Sequence, residues 1–208
     1  LAHVEAWQRF FVVNRDIFLR TLCLIAVNLF FTSAGGKQGA LMLSVNTLLM
    51  TMFTLFSYFM DGFAYAGEAL SGKLYGAKDK VRFLQMVRRL FFFGGVMVVL
   101  FTSVYVFGGL DFLRLLTDEE YVVRASIPYL VWVYFIPLAG VAAFIYDGIF
   151  IGMTETKGML VPSAIAMACF FAFYYVANNA LWIAFLMFLS LRGILQFFWA
   201  RKYVFNRF

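Results

Sequence analysis

Of the chain's 17 lysines and arginines and 11 acidic residues, only Arg20, Asp61, Asp147 and Arg192 stand inside or at the mouth of a long apolar run. A charge held at mid-membrane costs roughly 2.5–3.5 kcal/mol on insertion scales, so such residues face protein or water rather than lipid. Asp61 and Asp147 fall near the same ends of their runs, and Arg192 lies about 8 residues, or about 12 Å, from the matching end of the last run. Two carboxylates and a guanidinium at one depth can neutralise one another as a structural cluster. Alternatively, Asp61 or Asp147 exchanges a proton or a cation during a transport cycle, with Arg192 biasing its proton affinity. Simple snorkelling to the headgroups is a third use. Glu68 follows Asp61 by seven residues, on nearly the same helical face, and joins the candidates. Asn28, Asn46 and Thr47 lie nearer the middle of their runs, where they either line a path or bond a neighbouring helix.

The elements that position these residues follow from composition. The 208 residues are 64% hydrophobic, 21% aromatic and 13% charged, whereas soluble domains carry about a quarter charged. Six apolar runs cover about Ile17–Ala34, Ala40–Phe63, Leu90–Gly108, Ile127–Phe150, Met159–Ala177 and Ala180–Ala200. Each meets the roughly 20 residues that a helix needs to cross a bilayer. None alternates polar with apolar residues as an outer-membrane barrel does, which leaves helices to satisfy the backbone in lipid. The expected fold is all-α, a polytopic membrane bundle of six transmembrane helices. Residues 1–16 read as an amphipathic connector helix on the cytoplasmic surface, with Val4, Trp7, Phe10 and Phe11 at helical spacing; 17–200 form the transmembrane lobe and 201–208 a cytoplasmic tail. The first residue is Leu1 rather than Met, and the chain reads as part of a longer reading frame.

Charge placement sets orientation. Thirteen Lys and Arg, among them Arg9, Arg15, Arg20, Lys73, Arg89, Lys157 and Arg207, fall on the side of the termini; Lys37, Arg114 and Arg124 fall opposite. By the positive-inside rule both termini are cytoplasmic. The basic excess therefore reports topology, and no nucleic acid is expected as a partner.

Several chemistries lack parts. His3 is the only histidine, while Cys23 and Cys169 sit inside apolar runs, where a thiol behaves as a small hydrophobe. No catalytic residue, metal site or enzyme activity is expected. Gly67–Lys73 approaches a phosphate-binding loop, but Leu74 stands where Ser or Thr must hold Mg²⁺ and no strand precedes it. Phe59–Ala64 and Ile145–Phe150 repeat loosely around Asp61-Gly62 and Asp147-Gly148. Gly62, Ala64, Gly67, Ser71 and Gly72, with Gly148 and Gly152, suit close helix packing.

Asn14-Arg15-Asp16-Ile17-Phe18-Leu19-Arg20-Thr21-Leu22, the segment from Asp61-Gly62-Phe63-Ala64 through Glu68-Ala69-Leu70 to Gly76-Ala77-Lys78-Asp79, Asp147-Gly148-Ile149-Phe150-Ile151-Gly152 and Arg192-Gly193 together resemble the multidrug and toxic compound extrusion (MATE) family, nearest its DNA-damage-inducible efflux branch. The resemblance covers about residues 10–200. It implies one six-helix lobe, the second, of a twelve-helix inner-membrane antiporter that needs an N-terminal lobe as partner. Such a protein expels amphipathic small molecules or organic cations in exchange for H⁺ or Na⁺, with no other cofactor, by alternating access between lobes. The proton-linked aspartate of this branch belongs to the absent lobe. Sodium-linked relatives pair acids from the seventh and tenth family helices; here the seventh, from Ile17, carries none, and Asp147 stands in the tenth, so the resemblance favours H⁺ over Na⁺. Two other functions fit the same bundle: a lipid-linked oligosaccharide flippase, which would need a more cationic cavity, and a non-transporting scaffold, which would need neither Asp61 nor Asp147.

Overall fold

A computed structural model describes residues 2–177 and 180–205, without the side chains of residues 2–6 and 9. Expectations resting on the side chains of His3, Val4 and Arg9, and on Arg207, lie outside the described residues. Those described form helices and turns, with no strand among them. The helices are α1 (Ala2–Lys37), α2 (Ala40–Gly76), α3 (Lys80–Leu116), the short α4 (Glu120–Ser126), α5 (Leu130–Gly152), α6 (Lys157–Val176) and α7 (Leu181–Trp199). A 3₁₀ turn, Ile127–Tyr129, with Pro128 near its start, joins α4 to α5 as one rod, and a π-helical turn, Ala200–Val204, extends α7. Six of these rods are long and apolar enough to cross a membrane.

The first three helices run to 36 or 37 residues, well beyond the apolar runs. Their charged turns continue the helix because nothing breaks it before Gly39 and Asp79. Gly39 takes φ 115°, a conformation that favours glycine, and starts α2. Asp79 caps α3 by accepting the Arg82 backbone N–H at 3.0 Å. Residues 2–16 and the first span are one continuous helix, and the phosphate-loop look-alike lies in the interior of α2.

Neighbouring contacts close a ring in the order α1, α6, α7, α5, α2 and back to α1, with α3 packed outside against α2 and α5. The closest approach is that of α2 and α5. A Cβ on Gly148 would overlap the Ala64 carbonyl, and one on Gly152 would overlap the Glu68 carbonyl. Ser71 Oγ, fully buried, donates across the same contact to the Ile149 carbonyl at 3.2 Å. The small residues that the sequence groups around the two aspartates are thus the surface on which these helices touch. Tyr105 adds a further tie, donating from α3 to the Met52 carbonyl of α2 at 2.6 Å.

Candidate functional site

Four helices lay stripes of side chains along the inside of the ring. On α1, Arg20, Leu24 and Asn28 recur every four residues, as Phe53, Ser57 and Asp61 do on α2; α7 contributes Phe185, Phe188, Leu189 and Arg192, and α5 contributes Phe144. Together they line a cavity of about 190 Å³. Its upper wall is aromatic and aliphatic, and its charged groups gather at one level.

Asp147 is the anchor of that level. Buried to 3% exposure, its Oδ2 accepts from Arg192 at 2.7 Å and also from Arg20, while Oδ1 accepts from the Gln196 amide at 2.6 Å. Both carboxylate oxygens are therefore taken by donors from α1 and α7. Arg192, itself 3% exposed, also lies 5.9 Å from the centre of the Phe144 ring, within cation–π range. The Nε atoms of Arg20 and Arg192 remain buried without a hydrogen-bond partner. Asp61 lines the same cavity, with no direct ion pair among the described residues. Two arginines and two aspartates leave the cluster with no formal net charge when all are ionised.

The other candidates separate. Asn28 lines the cavity and donates its amide to the Leu24 carbonyl of its own helix at 3.0 Å. Asn46 lies elsewhere, accepting from Trp182 Nε1 at 3.1 Å, a buried bond between α2 and α7 of the helix-bonding kind. Glu68 is half-buried and lies two turns beyond Asp61, outside the residues that line the cavity.

Gln196 and Asp16 were not singled out in the sequence, and Arg20 was read there only as a charge at the mouth of a span. Arg20 is the second guanidinium on Asp147. Gln196 follows Arg192 by four residues, one turn along the same face, and that spacing was the available signal. Asp16, four residues before Arg20, is 1% exposed; it accepts the Thr156 hydroxyl at 3.0 Å and the Arg15 guanidinium at 3.0 Å. The span from Ile17 carries no acid, but its helix does one residue earlier, and that acid is already engaged.

The MatE family model matches residues 17–176, most of the chain, including Arg20, Asp61 and Asp147. The chain belongs to the MatE family. This MatE chain is also 37% identical over 202 residues to DNA damage-inducible protein F of Escherichia coli strain K12. That alignment covers 95% of the chain and 44% of the relative, so the chain spans less than half of that protein's length. No solved structure matched it. Family membership, six spanning helices and the apolar surface make it a polytopic membrane protein of a transporter family. Arg192 and Gln196 fall beyond the matched segment, so the α7 half of the Asp147 clamp comes from the geometry alone.

Proposed function

We propose that the chain is the C-terminal half of a secondary efflux antiporter, with both termini in the cytoplasm and the protein in a bacterial inner membrane. It works with an N-terminal six-helix lobe and expels organic cations or other amphipathic compounds by alternating access. The single observation that carries the reading is the family match over residues 17–176, joined to a relative more than twice the chain's length. In this reading residues 1–16 connect the lobes, 17–200 form the moving half and 201–208 a tail.

The cluster chemistry supports H⁺ as the coupling ion rather than Na⁺. A sodium ion needs several oxygen ligands, and both Asp147 oxygens are held by guanidinium and amide donors that would have to be displaced. Asp61 is the carboxylate of the cavity without such a clamp, so it is the residue best placed to respond to substrate or proton. Asn28 and Arg192 complete the wall that an amphipathic cation would meet. A flippase for lipid-linked oligosaccharides gains nothing from this geometry, because the two arginines are offset by two aspartates. Asn46 and Glu68, away from the cavity, serve packing in this reading.

The test is dye resistance in cells expressing the full-length protein. Asp61→Asn is expected to lower efflux at least tenfold while the amount of protein in the membrane stays unchanged. Wild-type efflux at equal abundance would remove Asp61 from the mechanism.

A further inference from the structure

Away from the buried cluster, a basic pocket opens where the long ends of α2 and α3 meet. The segment from Lys73 to Arg89 holds six basic residues against one acid, Asp79. Between the two helices lies a cavity of about 490 Å³, with Leu70 and Leu74 of α2 and Phe93 of α3 as apolar walls and Arg82, Gln85 and Arg89 as its polar donors. Arg82 stands 3.5 Å from Asp79 yet remains 77% exposed. Arg89 is exposed and has no ion pair among the described residues.

Helical spacing extends this pocket into a longer feature. Arg82, Gln85, Arg89, Phe93, Val96, Leu100 and Ser103 follow one another at intervals of three and four residues, which places them in one stripe along α3. The stripe changes from basic to apolar between Arg89 and Phe93. Its apolar part continues over a second hollow of about 680 Å³, floored by Val96, Leu100 and Ser103 beside Gly95, where an added Cβ would meet nothing within 4 Å. From Arg89 to Leu100 the helix rises about 16 Å, close to half of a hydrocarbon core of about 30 Å. A headgroup site at the basic end and a path one leaflet deep are thus joined on a single exposed face.

We propose that this stripe binds an anionic glycerophospholipid. Its phosphate lies between Arg82 and Arg89, with Gln85 as a further donor, and one acyl chain runs along Val96, Leu100 and Ser103. Guanidinium forks match phosphate oxygens, and basic pockets at the membrane surface select anionic headgroups. A zwitterionic lipid brings an ammonium group that Arg82 and Arg89 repel. Arginines that only marked topology would need neither the Leu70–Leu74 wall nor the open groove beyond Phe93. The site shares no lining residue with the Asp61 cavity and does not depend on the transport reading.

Native mass spectrometry of the full-length protein, released from micelles supplied with equal dioleoylphosphatidylglycerol and dioleoylphosphatidylcholine, tests the proposal. Wild type is expected to retain the anionic lipid at least tenfold over the zwitterionic one. Arg82→Ala with Arg89→Ala abolishes that preference, whereas Lys80→Ala with Arg88→Ala, which removes the same two charges from α3 outside the pocket lining, keeps it. All three arginines are exposed, and an unchanged melting temperature verifies that the fold survives. Equal retention of the two lipids by wild type would overturn the site, as would equal weakening by the paired and the control substitutions. Displacement of the lipid by millimolar inorganic phosphate would also overturn it, since the acyl path would then contribute nothing.

Discussion

Asp147→Ala is expected to destabilise the bundle by roughly 3–5 kcal/mol, the usual cost of removing one partner from a buried ion pair. The loss arises less from the missing bonds than from what stays behind. Arg20 and Arg192 would be left together on the cavity wall without the carboxylate that joins them, and Gln196 would lose its acceptor. Their Nε atoms already lack partners. Adding Arg192→Leu to Asp147→Ala removes one of the two stranded charges and should recover part of the stability, because a well-packed apolar replacement is often neutral. Thermal unfolding of the full-length protein in detergent reads both effects. A melting temperature unmoved by Asp147→Ala would contradict the clamp.

Gly148→Ala is expected to cost about 3 kcal/mol, at the upper end for overpacking a core. The added methyl would enter the Ala64 carbonyl of α2, a backbone group fixed within its own helix, so relief requires the two helices to move apart. Gly152→Ala meets the Glu68 carbonyl and the Ser71 hydroxyl and should behave alike. Gly62→Ala supplies the contrast on the facing helix, α2: nothing lies within 4 Å of its new Cβ, and alanine is the better helix former by roughly 0.5–1 kcal/mol. The same melting experiment separates the positions. Equal effects at Gly62 and Gly148 would show that the α2–α5 contact is looser than described.

The six spans were legible in the sequence because the signal for a bilayer crossing is long and needs no partner to be read. Their ends were not, since Arg15, Lys73 and Arg88 leave the lipid while their backbone goes on as helix. Grouping Asp61, Asp147 and Arg192 needed only depth, which can be counted along the chain. Which carboxylate takes which guanidinium depends on the neighbours of each helix, and the ring order, with α7 beside α5 and α1 between α2 and α6, is one that no periodicity announces. Arg20 therefore read as a charge at a span's mouth although it closes on Asp147, and Asp16 read as the last residue of an amphipathic connector although it is buried against Thr156. Asn46 was open between path and packing until Trp182 supplied its partner.

In the proposed function this bundle is one half of an ion-driven exporter. Its most direct measurement is the movement of an organic-cation dye in proteoliposomes of the full-length protein, with a proton gradient and a sodium gradient imposed in turn. Dye transport that follows the proton gradient, stops when a protonophore collapses it and ignores sodium is the predicted result. Dye movement that neither gradient alters would contradict the account.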